Sequence, residues 1–271
     1  MESTSLVFLL DRSGSMHDIV DDVIGGFNST LEEQKKVPFG SCFLTTVLFD
    51  NMYEVLHDQV DIHSVPHISR SEFVPRGSTA LLDAIGRAIS SVESQVSKTP
   101  SNVVFVIFTD GKENASREFT TNQIRKLVRQ KEDQCQWKFL FLGANIDSFS
   151  EASKIGFSAN RVANFSKRDQ GSLHAQSAVS QYVTETRTPH YLSKNEEEPM
   201  LSAMLDEHSS RPTNPSKVFT SRNRHPSNST YSKPIPRRVP IVYSDTSDDD
   251  VVYPFDNLSV NLSTVNSKKQ S

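Results

Sequence analysis

Short apolar runs recur along the chain, and the stretches between them carry apolar residues at helical spacing. The first run, residues 6–10, has no polar alternation, which is typical of a strand buried on both faces of a parallel sheet. Further strands are predicted at residues 42–49, 52–60, 103–110, 137–142 and 161–165. The link between the strands at 42–49 and 52–60 is so short that these two should form an antiparallel hairpin.

The stretches between the strands favour helices. Helices are predicted at residues 19–36, 78–97, 118–131, 148–155 and 173–183, the last with only a weak apolar stripe. Strands that alternate with helices predict an α/β fold with a doubly wound, mostly parallel central sheet, one antiparallel edge strand and helices on both faces. Roughly 185 residues are enough for a substantial core in such a fold.

The composition of the chain changes near residue 187. Beyond it Ser, Thr, Asn and Pro dominate, and no hydrophobic period persists, so residues 3–186 are predicted to form one domain and residues 187–271 a disordered tail. Within the tail, the sequence PMLSAML at residues 199–205 has the character of a short helical interaction motif, although a plain linker is the favoured interpretation.

Bulk composition excludes several function classes. The formal net charge is -4, so a basic nucleic-acid footprint is missing. No run approaches the roughly 18 apolar residues of a spanning helix, and the first residues lack the pattern of a signal peptide. With only two cysteines in 271 residues, we expect reduced thiols and a cytoplasmic protein.

Candidate chemistry lies where the predicted strands end. Asp11, Ser13 and Ser15 follow the first strand at alternate positions, Thr79 opens a helix, and Asp110 closes a second buried strand. In an open parallel sheet, ligands bind outside the carboxyl ends of the strands, so these side chains should lie at one edge. A set of carboxylate and hydroxyl oxygens suits a hard divalent cation, Mg²⁺ or Mn²⁺, and argues against zinc.

These five residues resemble the metal-ion-dependent adhesion site (MIDAS) of von Willebrand factor type A domains, and the chain resembles the intracellular members of that family. The resemblance implies that Ser13, Ser15 and Thr79 bind the ion directly and that Asp11 and Asp110 bind it directly or through water. It also implies that a vacant position on the ion accepts an Asp or Glu carboxylate from a partner protein, within a multiprotein assembly. A protein-binding module, and not an enzyme, is therefore expected.

Other interpretations stay open at this point. A magnesium-dependent hydrolase acting on a phosphorylated substrate would use Asp11 as nucleophile or metal anchor, but position 13, where such enzymes carry an acid, is Ser13, and His17 is the nearest candidate base. A scaffold whose tail carries the interactions is a third possibility. A zinc site from His57, His63 and His67 is less favoured than three surface histidines, because their spacing is irregular.

Overall fold

A six-stranded sheet, with the strand order β3-β2-β1-β4-β5-β6, forms the centre of the fold. The computed structural model describes residues 3–96, 102–110, 112–144, 148–166, 171–188 and 200–210. The strands are β1 (Ser3–Asp11), β2 (Ser41–Phe49), β3 (Tyr53–Asp61), β4 (Asn102–Thr109), β5 (Lys138–Ala144) and β6 (Val162–Phe165). The helices are α1 (Val20–Lys35), α2 (Leu81–Val96), α3 (Thr121–Cys135), α4 (Ser148–Lys154), α5 (Gly171–Arg187) and α6 (Leu201–Ser210).

Strand direction follows from the lengths of the connections. β1 pairs with β2 and β4 in parallel, β4 with β5, and β5 with β6, because each of these links contains a helix that returns the chain to the same end of the sheet. β3 follows β2 through a tight turn and pairs with it antiparallel at the edge of the sheet. The predicted fold class is therefore confirmed.

Both faces of the sheet are covered, as the unbroken apolar run in β1 predicts. On one face Leu6, Phe8 and Leu10 belong to a buried cluster that includes residues of α1, α5 and α6. On the other face Val7 and Leu9 belong to a second cluster with residues of α2, α3 and α4. The central strands are thus inaccessible along their length, and only their ends can carry polar chemistry.

Helix α2 begins three residues later than the sequence predicts. Gly77 has a φ of +65°, in the left-handed region, and the backbone N–H groups of Thr79 and Ala80 donate to other loops rather than lying inside a helix. Thr79 accordingly lies in the loop before α2, outside the first helical turn. The other predicted helices agree with the structure to within a few residues, and a 3₁₀ turn, Gly14–Ile19, precedes α1.

Helix α6 lies in the range that the sequence predicts to be disordered. Leu201, Met204 and Leu205 are buried in the cluster that also holds α1 and α5, and α6 packs against α5 and β6. For residues 201–210 the expectation of disorder is therefore wrong, because their apolar positions find a partner surface that only the folded chain provides. The rest of the predicted tail lies outside the described residues.

The two cysteines have different environments. Both are free thiols; Cys42 is buried in β2, whereas Cys135 is exposed at the end of α3. Burial raises the pKa of the Cys42 thiol to about 11. Among the helices of the described residues, none is long and apolar enough to cross a membrane.

We expect a thiol reagent to modify the native protein in two well-separated phases. Alkylation at pH 8 should modify Cys135 first and leave Cys42 intact, because a raised pKa of this size lowers the thiolate population of Cys42 about 100-fold and burial restricts access further. Peptide mass mapping over a time course measures this order. Modification of both thiols at similar rates would contradict the burial of Cys42.

Candidate metal centre

The candidate site lies at the carboxyl ends of two neighbouring parallel strands. Asp11 is the last residue of β1, and Asp110 directly follows β4. β1 and β4 pair in register up to Leu10 and Phe108, which brings the two strand ends side by side. This is the position in the sheet where strand order reverses, so the connecting helices diverge and leave room for a ligand.

A chain of short contacts joins four of the five predicted ligands. The Ser13 N–H donates to Asp11 Oδ1 at 2.7 Å, and the Oγ atoms of Ser13 and Ser15 are 3.1 Å apart. The Ser15 hydroxyl then donates to Asp110 Oδ1 at 2.6 Å. Residues from two strands, separated by about 100 positions in the chain, therefore share one polar cluster.

Asp11 is the most strongly perturbed group of this cluster. Its side chain is fully buried, and burial raises its pKa to about 6, with a further contribution from the negative charge of Asp110. The Thr109 hydroxyl, which donates to Asp11 Oδ2 at 2.6 Å, and the Ser13 N–H act in the opposite direction on the pKa but do not offset burial. A carboxylate in this position is costly to ionise unless a positive charge lies beside it.

Thr79 reaches the same edge of the sheet through its backbone. Its N–H donates to Asn114 Oδ1 at 2.9 Å, and its carbonyl accepts from the Asn114 N–H at 3.1 Å. Two residues earlier, the Gly77 carbonyl accepts from the Gly14 N–H at 3.2 Å, inside the loop of Ser13 and Ser15. Within the described residues the hydrogen bonds of Thr79 are all made by its backbone, and the hydrogen bond between Gly14 and Gly77 joins its loop to the loop of Ser13 and Ser15.

The loop after β4 contributes residues that the sequence analysis missed. Besides the contacts of Asn114 with Thr79, Glu113 Oε2 accepts from the Leu82 N–H at 3.0 Å in the first turn of α2. Asp83 in turn accepts from the backbone N–H groups of Glu118 and Phe119. The only sequence signal for this role is a cluster of short acceptors after an apolar strand, which many ordinary loops share.

The alternative zinc site gains no support from the geometry. His57 is half-buried in β3, His63 is exposed, and His67 Nε2 lies 2.9 Å from Glu32 on α1. Across the parts of the chain that the structure describes, no group of three or more His, Cys, Asp or Glu residues is placed to hold a metal. The five predicted ligands are two carboxylates and three hydroxyls, so they are not such a group of three or more His, Cys, Asp or Glu residues either. Asn145 and Asp147, which follow the predicted strand at residues 137–142 and are therefore expected at the same edge of the sheet, lie outside the described residues.

Comparisons with known proteins give likenesses of fold but not of sequence. No family model matches the chain, and no curated protein matches it. Among solved structures, the pilus adhesin SpaC from Lactobacillus rhamnosus GG is 10% identical over 69% of this chain and 30% of its own, with a TM-score of 0.56. The PilB minor pilin from Streptococcus sanguinis is 12% identical over 71% of this chain and 63% of its own, with a TM-score of 0.52.

A third neighbour is proximal thread matrix protein 1 from the mussel byssus, in a structure with a zinc-occupied MIDAS motif. It is 16% identical over 68% of this chain and 45% of its own, with a TM-score of 0.49. The chain thus spans less than two thirds of the length of these structures. At such identities the likeness concerns the fold alone. The chain has a doubly wound, mostly parallel α/β fold with one antiparallel edge strand, in agreement with its likeness to SpaC and PilB.

Proposed function

We propose that this domain is a cation-dependent protein-binding module. In this proposal Asp11, Ser13, Ser15, Thr79 and Asp110 hold Mg²⁺ or Mn²⁺, and the ion accepts an Asp or Glu carboxylate of a partner protein. The observation that carries the proposal is the contact chain from Asp11 through Ser13 and Ser15 to Asp110, at the carboxyl ends of two adjacent strands.

The donor set fits such an ion. All the candidate ligands are oxygen atoms, and two buried carboxylates lie close enough for the charge of Asp110 to affect the pKa of Asp11, so a dication would relieve their repulsion. Once bound, an ion held by few protein charges stays electrophilic and attracts an incoming carboxylate.

The first loop has buried residues that are held by hydrogen bonds and exposed residues that face solvent. Asp11 and Ser13 are buried, and Asp11 accepts hydrogen bonds from the Ser13 N–H and the Thr109 hydroxyl, which orients both residues before any ligand arrives. Gly14 and Ser15 are exposed, so the site opens to solvent on the side of this loop. A partner side chain can therefore approach without a large rearrangement of the domain.

The hydrolase alternative has less support. Position 13 carries a hydroxyl, and the Ser13 N–H is bound to Asp11 Oδ1, which occupies one of the lone pairs a nucleophile would use. His17, the nearest candidate base in the sequence, has an 84% exposed side chain, and its ion-pair contact is with Asp18 at 3.8 Å. We therefore propose that the domain is not an enzyme. A cytoplasmic setting, within a multiprotein assembly, is part of the proposal, since both cysteines are free thiols.

Isothermal titration of Mg²⁺, Mn²⁺ and Zn²⁺ into metal-stripped protein tests this function. We expect Mg²⁺ and Mn²⁺ to bind, and the variant Ser13→Ala/Asp110→Ala to lose affinity by more than the roughly 10–100-fold that an outer-shell partner costs. An Asp-containing or Glu-containing peptide should tighten ion binding, whereas the matching Asn or Gln peptide should not.

The variant Ser71→Ala/Glu72→Ala is a matched control, because it removes a hydroxyl and a carboxylate from a similar cluster on an exposed loop. There the Ser69 hydroxyl lies 2.7 Å from Ser71 Oγ and 2.6 Å from Glu72 Oε2. This control should bind the ion like the wild type. Ion binding that is absent from the wild type, or equal in both variants, would refute the proposed site.

A further inference from the structure

A buried carboxylate that is not one of the proposed ligands lies behind the candidate site. Asp50 directly follows β2, and its side chain is fully buried. Its Oδ2 atom accepts from Arg12 Nε and from Arg76 Nε, each at 2.9 Å, and its Oδ1 atom accepts from the Met52 N–H at 2.6 Å. One carboxylate is therefore hydrogen-bonded to two guanidinium groups and to the backbone of the turn in the β2–β3 hairpin.

The two arginines belong to the two loops that carry ligands. Arg12 stands between Asp11 and Ser13, whereas Arg76 lies three residues before Thr79. Their backbones are joined as well, since the Arg76 N–H donates to the Arg12 carbonyl at 2.8 Å.

The backbone of Asp50 extends the same connection. Its carbonyl accepts from the Ala80 N–H at 2.9 Å, directly after Thr79, and the carbonyl of the preceding Phe49 accepts from the Arg12 N–H at 2.8 Å. The end of β2 is thereby hydrogen-bonded both to the loop of Asp11 and Ser13 and to the loop of Thr79.

The charges explain why this cluster needs Asp50. Arg12 is buried, and its Nη1 lies 2.9 Å from Glu54, whose side chain is half exposed. Without Asp50, two guanidinium groups would lie close to each other and to a cation site with only partial compensation. Buried ion pairs contribute little net stability when compared with apolar packing, and their best-attested use is to fix one arrangement of the chain.

We propose that Asp50 is a positioning residue of the metal site. It sets the distance between the loop of Asp11, Ser13 and Ser15 and the loop of Thr79, so that the Thr79 hydroxyl can join the other four oxygen groups. This inference rests on the function proposed above, and it explains how the loop of Thr79, which the Arg76–Asp50 pair joins to the end of β2, presents its side chain at a defined place.

The variant Asp50→Asn tests the proposal with little change in size. The amide oxygen can still accept from the Met52 N–H, but the negative charge that holds both arginines is lost. We expect Mg²⁺ affinity to fall about 10-fold to 100-fold, as for other residues that orient metal ligands. The control Asp21→Asn removes the carboxylate of an exposed pair, Asp21–Arg70, and should bind Mg²⁺ like the wild type.

A double-mutant cycle with Thr79→Ala separates positioning from a general structural effect. If Asp50 acts through Thr79, then Asp50→Asn should cost much less affinity in the Thr79→Ala protein than in the wild type. Hydrogen exchange of the metal-free protein gives a second readout. The amides of Arg76 and Ala80 should exchange faster in Asp50→Asn, whereas the amides in the middle of β1 should keep their protection.

The variant Arg76→Gln keeps the test decisive if Asp50→Asn fails to fold. The Arg76 side chain is 52% exposed, so its loss should leave the Arg12–Asp50 pair and the fold intact and should still weaken Mg²⁺ binding, with the same dependence on Thr79. If the wild type binds Mg²⁺ and both variants bind it equally well, the positioning role is wrong and the proposed function stands. If the wild type binds no ion, the proposed function itself fails.

Discussion

Replacing Asp11 with asparagine is expected to abolish Mg²⁺ binding and at the same time to stabilise the metal-free protein. At pH 7 the buried Asp11 carboxylate has a pKa raised from 3.8 to about 6, which corresponds to a cost of roughly 3 kcal/mol in the folded state. Asparagine removes that cost. It cannot accept both existing hydrogen bonds, however, and the loss of one of them lowers the free energy of unfolding by about 1 kcal/mol. The free energy of unfolding should therefore rise by roughly 2 kcal/mol.

The pH dependence of this effect has a definite sign. Between pH 4 and pH 6 the unfolded chain has lost the Asp11 proton while the folded chain retains it, so the folded state binds more protons and wild-type stability falls as the pH rises. The cost is absent below about pH 4 and complete above about pH 6. The advantage of the asparagine variant should thus be present at pH 7 and disappear at pH 4.

Urea unfolding in EDTA at both pH values measures this difference. The control Asp18→Asn changes a carboxylate that is 87% exposed in the same segment of the chain, and its stability should stay within about 0.5 kcal/mol of the wild type. Added Mg²⁺ should stabilise the wild type but not the asparagine variant, because only the wild type gains binding free energy. An asparagine variant that is less stable than the wild type at pH 7 would show that the ionised Asp11 is well solvated by its neighbours.

The second large effect concerns helix α6. Leu201 is fully buried against the cluster that contains α1 and α5, so Leu201→Ala should lower the free energy of unfolding by roughly 2–4 kcal/mol. The physical reason is the lost burial of the side chain together with the cavity that remains where the neighbours do not collapse. Urea unfolding of the full chain, at constant protein concentration, measures the change.

Met200→Ala is the matched control for this prediction. Met200 precedes Leu201 and is 51% exposed, so its truncation should change stability by no more than about 0.5 kcal/mol. Equal stability of the two variants would show that α6 is not packed on the domain in solution. Residues 201–210 would then return to the disordered tail that the sequence predicts.

Much of the fold could be predicted because it depends on local periodicity. The unbroken apolar run of β1 specifies a strand covered on both faces, and the short link after β2 specifies an antiparallel edge. The expected proximity of Asp11 and Asp110 follows from the same reasoning, since parallel strands present their carboxyl ends at one edge. The hydrogen bond from Ser15 to Asp110 agrees with that expectation.

The packing of α5 on α1 could not be predicted in the same way. Its sequence has only a weak apolar stripe, and the contact is partly polar: Gln34 of α1 donates to the Ser180 carbonyl at 2.9 Å and to Thr184 Oγ1 at 2.8 Å. Arg187 in turn donates to the Gln34 carbonyl at 2.9 Å. Such polar pairs do not appear in the hydrophobic periodicity of the sequence, because each partner alone resembles an ordinary surface residue.

The sequence by itself determined the α/β fold, the order of the elements from β1 to α5 and the five oxygen-bearing candidates, because periodicity and strand ends are local properties. The tertiary structure alone decided the docking of α6, the exposure of Cys135, and the hydrogen-bond partners of Asn114 and Asp50. Those features depend on which loops meet once the sheet has formed. Contacts between residues tens of positions apart are selected by the geometry of the whole fold, and no short stretch of sequence contains that information.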